Sequence, residues 1–423
     1  MEQYYKDSVI MPRRGDECAT TGTVIVLFTR HYSFIIGVFM SGLTPSTTRL
    51  IAALVVSLAV IPTLRAESLP RLPQPLKAGT GAILNEVIYI GLGSANKSWY
   101  RLDKRSEEKR WQPIAEFPGS PRDQAITLAL NNSLYVFGGS GNVTEQDATP
   151  SVLSDIYRYD PANDRWQKIA SHPPRGLVGH AGVALNANQG LLLGGANKAI
   201  FDGYLRDINA HKDDKKASEA IIQNYFNKPS EDYFFSREAL LYDAKNNQWH
   251  ALGITPFAGT AGSALVRSGE RITLINGEIK PGLRTDAIHY GLWSQDKLRW
   301  TGEARLPAPP GAPLQEGLAG AYAGYSHGTL LVAGGANFPG ARANYRQHHY
   351  YAHQGLTKTY QRAIFAQHGE TWRAIGELPQ PLGYGVTISD GETLYLIGGE
   401  TSQGQAVDSV IGLSLRNGHL TIE

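Results

Sequence analysis

Leu134-Tyr135-Val136-Phe137-Gly138-Gly139, followed by Ile156-Tyr157-Arg158-Tyr159-Asp160, Pro161-Ala162-Asn163-Asp164 and Trp166, is the stretch of this 423-residue chain from which its fold can be read. An apolar run ends in a glycine pair. A second β-type run ends at a turn in which Pro fixes φ and Asn-Asp tolerate left-handed backbone. A tryptophan then opens a further strand. Residues 124–130, with the turn Asn131-Asn132, supply a strand in front, so the unit is a four-stranded antiparallel sheet. The ending recurs at Tyr89-Ile90-Gly91-Leu92-Gly93, Leu192-Leu193-Gly194-Gly195, Leu274-Ile275-Asn276-Gly277, Val332-Ala333-Gly334-Gly335 and Leu396-Ile397-Gly398-Gly399. After five of the six endings a tryptophan opens a further apolar-alternating stretch: Trp111, Trp166, Trp249, Trp300 and Trp372. Six sheet units at a spacing of several tens of residues predict an all-β, six-bladed β-propeller.

Strand, glycine pair, strand and tryptophan strand is the pattern of the kelch repeat. Blade one starts at Gly79, blade two at Gln124, blade three at Gly179, blade four at Gly259, blade five at Gly317 and blade six at Gly383. Each blade supplies its own four strands. Blade six ends around an Asn417-Gly418 turn and borrows nothing from the N-terminus. The glycines are expected where strands crowd near the axis, and the tryptophans between blades, so both are core. Two inserts interrupt the pattern. Residues 197–237, after blade three's glycine pair, hold Ala217, Ala220, Ile221, Tyr225 and Phe226 at helical spacing. Residues 337–362 are rich in Tyr, His and Arg. Such inserts either shape a ligand site on one face or merely cover an edge.

The first 66 residues read differently. Residues 50–61 (LIAALVVSLAVI) form an apolar run behind Arg49, followed by Pro62 and a small residue, Ala66, with Leu64 two positions earlier. This is the pattern of a secretory signal peptide over about 40–66, and the run is too short for an ordinary transmembrane helix. Met40 stands at its natural start, so residues 1–39 read as an over-extended start; an anchor over 23–40 competes, interrupted by Arg30 and His31. The propeller then occupies 67–423. The one cysteine, Cys18, lies upstream, which removes disulfides, a cysteine nucleophile and a cysteine metal site from the propeller and suits export to the periplasm. The chain carries 40 Lys+Arg and 38 Asp+Glu; six basic and four acidic residues fall in 1–66, leaving 34 of each in the propeller. A net charge of zero gives no reason to expect a nucleic-acid or membrane-surface partner.

No phosphate loop, dinucleotide fingerprint, nucleophile elbow or zinc helix is present. His349 and His353 have the spacing of a helical ligand pair beside His348, but no Asp or Glu accompanies them in the insert, so no metal is expected. The densest polar segment is residues 275–287 (INGEIKPGLRTDA), directly after an inner strand of blade four. Pro281-Gly282 is expected to turn Arg284 back toward Glu278. A carboxylate there can move protons and an arginine can hold an anion; the alternative is a structural ion pair on the rim. Arg122, at the start of blade two, His180, between two glycines, and Glu400, just after Gly399, are further candidates by the same logic.

Residues 275–287, together with 89–95 (YIGLGSA), 117–125 (FPGSPRDQA), 231–235 (EDYFF) and 397–401 (IGGET), resemble the bacterial N-acetylneuraminate epimerases, the sialic acid mutarotases. The similarity runs from about Pro73 to the C-terminus. The resemblance implies a periplasmic enzyme of a Gram-negative bacterium, an isomerase that interconverts the α and β anomers of N-acetylneuraminate without a cofactor. It implies Glu278 as proton acceptor and Arg284 acting with it. Arg122, His180, Arg342 and Glu400 stand beside them as candidate substrate contacts. Ala343 departs from the family pattern, which has a charge there. The expected partner is the small-molecule sugar; the oligomeric state is open, a homodimer being one option. A non-catalytic propeller that binds a glycan or a protein is the alternative. A sialidase is disfavoured, because no Ser-x-Asp-x-Gly-x-x-Trp repeat is found.

Overall fold

The computed structural model describes residues 69–144 and 146–423, and the signal-peptide reading of 40–66 lies outside the described residues. Among the described residues, six four-stranded antiparallel sheets follow one another, each a simple meander. Blade one runs from Thr80–Leu84 to Gln112–Pro113, blade two from Ile126–Leu130 to Arg165–Ile169, and blade three from Ala181–Ala184 to Gln248–Ile254. Blade four runs from Ala264–Ser268 to Lys297–Arg305, blade five from Tyr322–Ser326 to Thr371–Glu377, and blade six from Val386–Ser389 to His419–Ile422. The six-bladed propeller is therefore present, each blade with its own four strands.

The second strands are buried at every position in Val87–Gly91, Ser133–Phe137 and Leu394–Ile397, and at all but the first residue in blades three to five. That explains their unbroken apolar runs: both faces of a blade are covered, so the usual alternation disappears. Along Gln189–Leu193, Leu191 and Leu193 pack toward blade four while Leu192 packs toward blade two. Six apolar clusters result, each combining side chains of two neighbouring blades. Trp166 of blade two lies 5.0 Å from Trp99 of blade one, and its indole N–H donates to Ala115 O at 2.8 Å. The tryptophans are inter-blade core, as read from the sequence.

The glycine endings do more than relieve crowding. Their second N–H donates to the carbonyl of the segment leading into the next blade: Gly93 to Arg122, Gly139 to Leu177, Gly195 to Thr260, Gly277 to Leu318, and Gly335 to Leu382. The sixth bond closes the ring, from Gly399 to Leu76 at 2.7 Å. Leu69, Leu72 and Leu76 join the cluster between blades six and one. The ring therefore closes without an N-terminal strand. A buried Leu or Ile contributes about 1.5–3 kcal/mol and a backbone bond about 1 kcal/mol net, so apolar clusters hold the ring and the six bonds set its register.

Between second and third strands, blades two, four and five each carry a two-stranded ribbon. In blade four it is Glu278–Lys280 against Leu283–Arg284. The insert after blade three folds as α1 (Lys198–Ala210) and α2 (Lys215–Phe226), capped by Asn197 and Asp214. The helix expected around 215–227 is α2. The first was missed, although Phe201, Tyr204 and Leu205 have helical spacing and are buried. In blade five's insert a short helix, α3, spans Ala341–Arg346. Among the described residues no helix is long and apolar enough to cross a membrane.

Candidate active site

Glu278 and Arg284 face one another across the blade-four ribbon, with Pro281-Gly282 as its turn. Arg284 Nη2 lies 2.9 Å from Glu278 Oε1. Glu278 is 4 % exposed and Arg284 2 %. Glu278 is held from behind by two backbone bonds with Ala261, at 2.7 and 2.9 Å. Gly282, at φ 78°, lets the turn close under His353; a Cβ there would stand 1.8 Å from His353 Nδ1. The Gly282 N–H points to Glu278 Oε1 at 3.4 Å. Arg284 Cζ sits 4.7 Å from the centre of the Phe338 ring, a cation–π contact from blade five's insert.

Burial pushes the Glu278 carboxyl up to about 7, with the positive charge of Lys358 pulling the other way. The adjacent guanidinium also favours the carboxylate. Burial likewise lowers the pKa of Arg284. A carboxyl poised near neutrality can both take and return a proton, which is what general acid–base chemistry needs. Neither residue lines the central channel, about 440 Å³ in volume; the pair reaches it through Tyr384, which lines it together with His180. Arg284 Nη2 donates to the Tyr384 hydroxyl at 3.4 Å.

Both inserts converge on this ribbon. Lys280 is completely buried, and its ammonium donates to Phe226 O at 2.8 Å, to Lys228 O at 2.6 Å and to Tyr350 O. Phe226 and Lys228 belong to the first insert and Tyr350 to the second. Burial pulls Lys280 down to about 7, yet three carbonyl oxygens match the three N–H bonds of the ammonium form. Phe226 stacks on Tyr351 at 4.9 Å, and Tyr345 O–H donates to Ser230 Oγ at 3.0 Å. The inserts therefore roof the Glu278–Arg284 ribbon.

The other sequence-derived candidates are dispersed. Arg122 has a fully buried side chain, bonded to Asp155 at 2.5 and 3.2 Å, to Ser120 O and to Gly138 O, and packed against Phe117 and Tyr157. Its guanidinium belongs to the wall of blade two. His180 is 3 % exposed, and among the described residues neither ring nitrogen has a hydrogen-bond partner. Burial, reinforced by Arg175, lowers its pKa to about 3, so the ring is neutral. Arg342 pairs with Asp286 at 2.9 Å, and Asp286 also pairs with Arg305 at 2.6 Å. Glu400 lies 3.8 Å from Lys77, and its charge adds to the burial that raises the pKa of Tyr360. Tyr360 in turn packs edge-on to Tyr384, 6.2 Å between ring centres. Helix α3 ends at Arg346 and His348 has φ 62°, so His349 and His353 do not share a helix.

A buried Glu–Arg pair on a two-stranded ribbon, roofed by a helical insert, is specific enough to compare. The family model for N-acetylneuraminate epimerase matches residues 69–422. The chain belongs to the N-acetylneuraminate epimerase family. An N-acetylneuraminate epimerase of Salmonella arizonae is 48 % identical over 372 residues, covering 88 % of this chain and 96 % of the relative. One of Yersinia pestis is 47 % identical over 380 residues, covering 89 % and 97 %. The solved structure of YjhT superposes with a TM-score of 0.79 at 41 % identity, over 84 % of this chain and 99 % of that one.

Two residues beside the Glu278–Arg284 pair escaped the sequence reading. Tyr384 stands between Gly383 and Gly385 at a position that is glycine in blades three to five, a signal present in the sequence. Lys280 was inside the quoted segment, but strand alternation would place it on the same face as Glu278. A register shift in the ribbon between the two lets them serve different partners.

Proposed function

We propose that this protein is an isomerase that interconverts the α and β anomers of N-acetylneuraminate. The single observation that carries the reading is the buried Glu278–Arg284 pair, in a chain of this family. Glu278 takes the proton of the anomeric hydroxyl. The ring carbon–oxygen bond breaks, the anomeric carbon becomes a ketone, and the ring recloses on its other face. Arg284 binds the substrate carboxylate or stabilises the developing oxyanion. The chemistry is cleavage and reclosure of one carbon–oxygen bond assisted by proton transfer, which side chains can supply. His180 and Glu400, on the channel and its rim, contact the sugar; Arg342 holds the junction of blades four and five behind it.

The test is to add purified protein to freshly released α-N-acetylneuraminate and follow anomer exchange by proton NMR. Equilibration well above the buffer rate supports the reading. A folded protein that binds the sugar but leaves the rate unchanged points to a non-catalytic binding propeller. We also propose that the protein is exported to the periplasm with residues 1–66 removed. Terminal sequencing of the protein from a periplasmic extract should then start at Glu67.

A further inference from the structure

The lead-in segments place one residue per blade on a left-handed backbone around the channel: Ala78 (φ 51°), Gln124 (57°), Gly179 (63°), Gly262 (67°), Gly320 (64°) and Tyr384 (57°). These residues bond to one another in sequence. Gln124 N–H donates to Ala78 O, Ala78 N–H to Tyr384 O, Tyr384 N–H to Gly320 O, Gly320 N–H to Gly262 O and Gly262 N–H to Gly179 O, at 2.7–2.9 Å. Blades three to five use glycine here, the residue that adopts this conformation freely. Blade six uses a bulky aromatic, an outlier in a region where outliers gather at functional sites. Gly320 makes the room, since a Cβ on it would lie 2.4 Å from Tyr384 Cδ1.

The side chain so placed reaches the reacting pair. Arg284 Nη2 is 2.9 Å from Glu278 Oε1 and 3.4 Å from the Tyr384 hydroxyl, so a single nitrogen stands between the carboxylate and the phenol. Resting on the mutarotase reading above, we propose that the Tyr384 hydroxyl is the proton donor to the ring oxygen during ring opening. As Glu278 removes the anomeric hydroxyl proton, the bond between anomeric carbon and ring oxygen breaks. Its electron pair goes to the ring oxygen, which takes the Tyr384 proton, and the ketone forms. Closure reverses both transfers: the chain hydroxyl returns its proton to the phenolate as it attacks the other carbonyl face, and Glu278 returns its proton to the ketone oxygen. Arg284 stabilises the transient phenolate. Burial raises the Tyr384 pKa, so the proton stays in place through neutral pH until an alkoxide develops.

Tyr384→Phe keeps the ring on Gly320 and removes only the proton. Turnover of the α anomer should fall about 10²–10⁴-fold, with sugar affinity by NMR titration and the melting temperature both unchanged. A wild-type rate in Tyr384→Phe overturns the proposal while leaving the mutarotase reading intact. A loss of rate matched by an equal loss of affinity also overturns it, since Tyr384 then only binds. A wild type that fails to accelerate exchange overturns both readings together.

Discussion

Glu278 and Glu400 occupy the same position in two blades: each directly follows its blade's glycine ending, and each exchanges a pair of backbone hydrogen bonds with the segment leading into its own blade, at Ala261 and Gly383. Ser140 and Ala336 fill that position in blades two and five. The slot is a property of the repeat; its chemistry is set by what stands opposite. Glu278 faces Arg284 at 2.9 Å, whereas Glu400 is 3.8 Å from Lys77, which also donates to Gly404 O. Only the blade-four carboxylate is paired across a ribbon of its own.

The Arg284 charge should therefore show in the pH dependence. Glu278 acts as a base only when ionised, so kcat/KM rises with pH through its pKa and then levels off. Arg284→Met removes the neighbouring positive charge, and the residual activity should have its rising limb moved upward by about one to three pH units. The pH–rate profiles of wild type and variant check this. A limb that stays in place means that Arg284 does not act on the Glu278 carboxyl.

Lys280 should matter for architecture more than for proton transfer. Lys280→Met leaves the carbonyls of Phe226, Lys228 and Tyr350 without their donor. Each buried unsatisfied group costs about 1–3 kcal/mol, and partial hydration of the loops leaves a net loss of about 2–4 kcal/mol. Urea unfolding measures the loss, and hydrogen exchange should locate it in residues 226–233 and 345–353. An unchanged unfolding midpoint contradicts the clamp.

His180 should make stability depend on acid. Its folded pKa, about 3, lies below the ordinary 6.5, so the unfolded chain binds its proton first. The stability it supports is complete above pH 6.5 and is lost as pH falls toward 3. Glu278 works in the opposite sense, because its pKa is raised: its contribution is complete below 4.5 and declines as pH rises through about 7. His180→Leu removes the first effect alone. Relative to wild type, the variant should gain stability at pH 5 compared with pH 8, read from paired urea titrations.

Much of the propeller was legible in the sequence, because its repeat is a local pattern: apolar run, glycine ending, turn and tryptophan all fall within one blade. The Glu278–Arg284 contact was legible for the same reason, since a Pro-Gly turn brings neighbours together. Partners far apart in the sequence were not. Arg122 looked like a channel arginine, but Asp155, which holds it, lies 33 residues further on, in the segment just before blade two's third strand. Tyr384 reaches Arg284 across two blades, and Lys280 reaches two inserts, so neither relationship has a sequence spacing to betray it. Helix α1 is the exception, since the spacing of Phe201, Tyr204 and Leu205 that marks it is local.

The central claim is that Glu278 moves the proton in the exchange of anomers, and the most direct test compares wild type with Glu278→Gln on freshly released α-N-acetylneuraminate, by proton NMR near pH 7. The carboxamide keeps the shape of the side chain but cannot accept the proton. The account predicts rapid equilibration by wild type and a rate lower by about 10²–10⁴-fold in the variant, with the fold retained by circular dichroism. Equal rates for the two proteins would contradict it.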